Sequence, residues 1–121
     1  MAVKKIEEIL SHFDKRQFSP VYLLTGEENY YIDLLTSKFE EEILDEAERD
    51  FNLTTLYGLE TNAKEICSFA KQYPIMSEKR LIIVKEFQQI DKKELSQLSF
   101  YVERPLASTI LVLVNKNKTI D

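Results

Sequence analysis

A chain of 121 residues is long enough for one domain, or a large piece of one, that buries roughly two thirds of its unfolded surface. Its 44% hydrophobic and 31% charged residues, with no apolar run near the roughly 20 residues of a membrane span, are those of a soluble globular protein, expected in the cytoplasm. A net charge of −5 argues against a broad basic surface for DNA or RNA and points instead to a protein partner.

Charges threaded through MAVKKIEEIL are incompatible with the apolar core of a signal peptide. Val3, Ile6, Ile9, Leu10 and Phe13 recur at spacings of three and four, which predicts an amphipathic helix over residues 3–15. The single histidine, His12, lies on it and cannot build a histidine metal cluster; a surface or boundary position is expected. Ser19 and Pro20 break the pattern before Val21, Tyr22, Leu23 and Leu24, a compact strand closed by Thr25 and Gly26. Glu27, Glu28 and Asn29 open a second helix, where acidic residues suit the positive end of the dipole. Its apolar stripe reads Tyr30 or Tyr31, Leu34, Leu35, Phe39, Ile43 and Leu44.

Near-alternation over residues 51–57, closed by Gly58, predicts an edge strand. Asn62 with Glu65 forms a capping pair for a third helix bearing Ala63, Ile66, Cys67, Ala70 and Tyr73. Cys67, the only cysteine, cannot form a disulfide within the chain and is expected to pack as a small hydrophobe. Pro74 ends that helix, because it disfavours helical geometry at Tyr73 and has no N–H to donate. Ile75 and Met76 then fall in a connection, where apolar side chains gain nothing from water and need a reason to be there. Ser77, Glu78, Lys79 and Arg80 lead into the run Leu81, Ile82, Ile83 and Val84, a strand covered on both faces. Asp91 with Glu94 caps a fourth helix carrying Leu95, Leu98, Tyr101 and Val102, which Pro105 ends; residues 108–114 are the fourth strand, with Asn115 at its end.

Helices and strands alternate, and the later strands are uniformly apolar, so the fold class is α/β, a parallel sheet flanked by helices. The sequence stops soon after the fourth strand, which is the expectation for an N-terminal fragment of a longer protein.

Ligands of open α/β sheets bind at the carboxyl ends of the strands. A phosphate loop there needs a second glycine and a lysine, but the sequence after the first strand is GEENYYID: Thr25, Gly26, Glu27, Glu28 and Asn29 place carboxylates where phosphate charge would go. The third strand ends in Lys85 and Glu86, a cation where a magnesium-side carboxylate is required, and Asn115 stands at a sensor position. Glu27, Glu28 and Glu86 could be read as a magnesium cluster, yet no D-x-D pair accompanies them and solvated acids at a helix start account for them. Lys79 with Arg80, and Lys92 with Lys93, are short charge pairs of the kind found on solvated faces. No catalytic residue, metal or cofactor is assigned.

Three motifs, PVYLLTGEENYYID at 20–33, YPIMSEKRLIIVKEF at 73–87 and STILVLVNKNK at 108–118, together make the chain resemble the N-terminal domain of the delta subunit of the bacterial DNA polymerase III clamp loader. The resemblance covers essentially all 121 residues. It implies an AAA+-like domain with a degenerate nucleotide site, strand order 1-4-3-2, and a fifth strand beyond residue 121. It also implies a non-catalytic subunit of the DNA polymerase III holoenzyme, a DNA-directed DNA polymerase. The implied partners are the sliding clamp (beta subunit), the ATPase subunits of the loader through the full-length protein, and DNA only within the whole complex. The implied clamp contact is a wedge at Pro74, Ile75 and Met76 flanked by Ser77, Lys79 and Arg80, with isoleucine and methionine where many relatives carry phenylalanine. Two competing readings are a nucleotide-binding P-loop-like ATPase and a freestanding α/β interaction domain. Under a third, Ile75 and Met76 merely tuck beneath their own domain.

Overall fold

Leu81, Ile82, Ile83 and Val84 are all fully buried, and the sheet explains why. The computed structural model describes residues 6–26 and 29–116. Four strands, β1 (Val21–Gly26), β2 (Leu53–Tyr57), β3 (Arg80–Lys85) and β4 (Thr109–Lys116), pair in parallel in the order β1-β4-β3-β2. This is the expected 1-4-3-2 order, with β2 at one edge. Successive strand side chains point to opposite faces, so each central strand feeds two cores.

On one face Leu81, Ile83, Ile110, Val112 and Val114 meet α1 (Ile6–Lys15) and α2 (Asn29–Glu42) through Ile9, Phe13, Ile32, Leu35 and Phe39. Phe39 lies 4.9 Å between ring centroids from both Phe13 and Tyr22. On the other face Ile82, Val84, Leu111 and Leu113 meet α4 (Ala63–Ala70) and α5 (Leu95–Glu103) through Ile66, Ala70, Leu98 and Tyr101. Cys67 is partly buried against this second cluster. His12 is a boundary residue whose Nδ1 lies 2.6 Å from the Tyr22 hydroxyl.

The structure corrects several sequence-based boundaries. The second helix stops at Glu42, and its buried stripe is Ile32, Leu35 and Phe39 rather than Tyr30, Tyr31 and Leu34, which are exposed. Ile43 and Leu44 are buried just beyond its end. A helix that the alternation over 51–57 concealed, α3 (Glu46–Asn52), takes up Phe51 and Asn52, and the strand starts only at Leu53. Its cause is a capping box: the Asp45 carboxylate accepts from the Glu48 N–H at 2.8 Å while the Glu48 carboxylate accepts from the Asp45 N–H at 3.0 Å. Satisfying otherwise orphaned donors in this way is worth about 1 kcal/mol.

Asn62 caps α4 as expected, accepting from the Glu65 N–H at 2.8 Å, but the Glu65 carboxylate is engaged by the Thr61 hydroxyl at 2.6 Å instead of closing a box. That helix ends at Ala70, so Tyr73 is not on it. Asp91 caps a 3₁₀ turn, Lys92–Glu94, that precedes α5, and β4 extends two residues past Val114, taking Asn115 into the strand.

Candidate functional site

The two ends of the sheet differ in character. At the carboxyl end, β1 finishes at Gly26 and α2 begins at Asn29, while Glu27 and Glu28 lie outside the described residues. Thr25 and Asn115 are register partners on adjacent strands, and the Asn115 amide donates to the Thr25 hydroxyl at 2.9 Å. Asn115 is fully buried, and this bond ties β4 to β1. A cleft of about 330 Å³ opens beside them, lined by Asp33, Thr36, Ser37, Glu40, Tyr57, Lys85, Glu86 and Val114. Lys85 is the one cation in that lining, and its Nζ is already 3.2 Å from Glu40. Three carboxylates beside a paired lysine give phosphate oxygens an unfavourable field. Glu86 has a left-handed backbone, φ 53°, which turns the chain out of β3 into a 3₁₀ turn.

The amino end carries the loop between α4 and β3. Met76 is 94% exposed and Ile75 50%, and Tyr73 is exposed beside them; Pro74 and Ser77 are half-buried. The two apolar side chains therefore stand in solvent rather than beneath their own domain. Met76 also has φ 54°. A left-handed conformation costs an L-residue with a Cβ roughly 1–2 kcal/mol, so the tip is held in place by its surroundings.

Asn52, fully buried at the end of α3, holds it. Its Oδ1 accepts from the Ile75 N–H at 2.6 Å, and its Nδ2 donates to the Ile75 carbonyl at 2.7 Å and the Glu48 carbonyl at 3.0 Å. Both backbone groups of Ile75 are thus satisfied by one side chain 23 residues away. Ser77 closes a local turn with Lys79, accepting from its N–H at 3.3 Å and donating to its carbonyl at 3.0 Å. The Lys79 ammonium donates to the Ala107 carbonyl at 3.0 Å.

Arg80 departs from the expected rim of contact residues. It is only 5% exposed, and its guanidinium faces inward, donating to the Phe69 carbonyl at 3.2 Å, the Phe51 carbonyl at 3.1 Å and the Thr54 hydroxyl at 3.4 Å. Desolvation by burial lowers its pKa below the ordinary guanidinium value. Arg80 therefore joins the ends of α4 and α3 to β2 and acts as internal support for the tip. Nothing in the local sequence marks Asn52 or Arg80 for these tasks, since their partners are distant along the chain.

Met76→Gly is expected to stabilise the fold by about 0.5–1 kcal/mol, relief of the left-handed strain outweighing the added freedom of the unfolded chain. Urea unfolding measures it; a loss of stability would mean that the Met76 side chain is holding the loop.

A parallel α/β domain with strand order 1-4-3-2 and helices on both faces belongs to the class of AAA+-like domains. The family model described as DNA polymerase III, delta subunit, matches residues 22–121. DNA polymerase III subunit delta of Bacillus subtilis (strain 168) is 29% identical over 122 residues, covering 94% of this chain and 35% of that protein. The solved Bacillus subtilis DNA clamp loader delta protein has a TM-score of 0.84 at 28% identity, covering 97% of this chain and 37% of its own. A DNA polymerase III gamma subunit-related protein from Thermotoga maritima shares the fold, with a TM-score of 0.65 at 15% identity over 93% of this chain and 40% of its own. The chain belongs to the DNA polymerase III delta subunit family, and it spans about a third of the length of the curated relative. Among the described residues, no helix is long and apolar enough to cross a membrane.

Proposed function

We propose that this chain is the N-terminal, clamp-binding domain of a clamp-loader delta subunit. It inserts Ile75 and Met76 into an apolar pocket on the sliding clamp and favours the opened ring, without hydrolysing ATP itself. The observation that carries this reading is the pair of solvent-exposed apolar side chains at a tip whose backbone is fixed from behind by Asn52. An apolar side chain held in water by a rigid loop loses little entropy when a partner covers it. Each such burial contributes about 1.5–3 kcal/mol, so the pair offers roughly 3–6 kcal/mol before ordering costs. Pro74 shortens the loop's conformational range, and Ser77 and Lys79 provide the polar rim of a hot spot.

Ring opening then follows from differential affinity. A tip that binds the open clamp better than the closed one shifts the ring's equilibrium by that difference and needs no chemistry. ATP hydrolysis falls to other subunits of the loader, reached through the remainder of the full-length protein, and DNA is met only in the whole complex. The acidic cleft at the opposite end of the sheet is consistent with a domain that binds no triphosphate.

The decisive experiment is clamp binding by an Ile75→Ser, Met76→Ser double variant of the full-length protein, read by surface plasmon resonance. Affinity is expected to fall at least about 100-fold, with the melting temperature within a few degrees of the parent. Undiminished affinity in a folded variant overturns the wedge.

A further inference from the structure

We propose that the clamp-binding surface extends from the loop tip onto α3, with Phe51 as a second apolar anchor. This rests on the clamp-binding reading above. Two side chains cannot supply the roughly 800 Å² per partner that a specific interface buries. The surface must continue, and the structure shows in which direction.

Phe51 is 62% exposed although its neighbour Asn52 is fully buried. Asn52 grips both backbone groups of Ile75, and the Phe51 carbonyl accepts from the buried Arg80 guanidinium. Leu53 and Leu81 are register partners on adjacent strands, so residues just before β2 and just before β3 emerge side by side at the amino end of the sheet. Glu48, one helical turn before Phe51, lines the same open cavity of about 500 Å³ as Met76, Ser77 and Lys79. Helix α3 and the tip therefore border one cavity, which Glu48 and Met76 both line, with exposed apolar side chains at Phe51, Ile75 and Met76.

The backbone beneath Phe51 is held on a capped helix whose last turn is tied to the loop by the two Asn52 bonds to Ile75. Aromatic side chains on such supports supply large contact area at low entropic cost. The occupant this fits is the surface of the clamp adjoining the apolar pocket that takes the tip, rather than a separate partner.

The test compares three variants of the full-length protein for binding to the cognate sliding clamp: Phe51→Ser, the Ile75→Ser, Met76→Ser pair, and Phe100→Ser. Phe100 is 75% exposed on α5, which packs beside α4 on the second core, and serves as the control for loss of an exposed aromatic side chain. Phe51→Ser is expected to weaken binding roughly 10- to 100-fold with its melting temperature unchanged, while Phe100→Ser binds like the parent. Parent-like binding by Phe51→Ser, with the loop pair still defective, overturns the extension and leaves the wedge standing. If the loop pair also binds normally, both fail. Equal losses in Phe51→Ser and Phe100→Ser also overturn the extension, since they signal a nonspecific loss of apolar surface.

Discussion

Asn52→Ala is expected to lower the unfolding free energy by about 2–4 kcal/mol and to weaken clamp binding at the same time. The asparagine is fully buried and makes three hydrogen bonds, two with Ile75 and one with the Glu48 carbonyl. Alanine leaves the Ile75 N–H and carbonyl without these partners and opens a small cavity behind the tip. Leaving a buried donor or acceptor unsatisfied costs about 1–3 kcal/mol, which sets the scale of the loss. The loop can recover by turning those groups to water, and it then gives up the fixed backbone that presents Met76. Each contact with a partner must afterwards bear the cost of ordering the loop. Urea unfolding, hydrogen exchange at the Ile75 amide and clamp affinity read the three consequences. A stable variant with a protected Ile75 amide would mean that the loop holds its shape without Asn52.

The second large effect lies at the other end of the sheet. Gly58→Ala is expected to cost about 2–3 kcal/mol and roughly 10 °C in melting temperature. The glycine N–H donates to the Lys85 carbonyl at 2.8 Å where the chain leaves β2. A Cβ built there would lie 2.1 Å from the Glu86 carbonyl oxygen and 3.2 Å from the Ile90 backbone nitrogen. Both are backbone atoms, so no side-chain rotation relieves the clash, and the turn after β3 must move. Since this turn is remote from the tip, the variant's clamp affinity below its melting temperature should match the parent. Paired with Asn52→Ala, it separates loss of stability from loss of a presented tip. Parent-like melting would show that the turn yields easily.

Most of the architecture was legible in the chain. Apolar runs at 21–24, 81–84 and 108–114 identify strands because a buried parallel strand needs apolar side chains on both faces. Asn62 marks the start of the third expected helix because a side-chain cap acts on the nearest few residues, whereas Pro74 does not set its end, since the helix already stops at Ala70. The helix at 46–52 was missed for an instructive reason. Its D-x-x-E box was present at Asp45 and Glu48, but the alternation following Phe51 drew the strand two residues too far forward. The exposed Tyr30 and Tyr31 show the same limit: helical spacing identifies a stripe but leaves its rotation about the axis open by a residue.

Local chemistry in the sequence thus determined the elements, the lack of a lysine-bearing phosphate loop and the position of Ile75 and Met76 in a connection. The tertiary structure alone decided that those two side chains face water, that Asn52 fixes their backbone, and that Arg80 turns inward. The reason is range. Propensity, capping and periodicity act over a few residues, whereas Asn52 meets Ile75 across 23 positions and Arg80 meets the Phe51 carbonyl across 29, pairings that exist only once β2 and β3 lie in register.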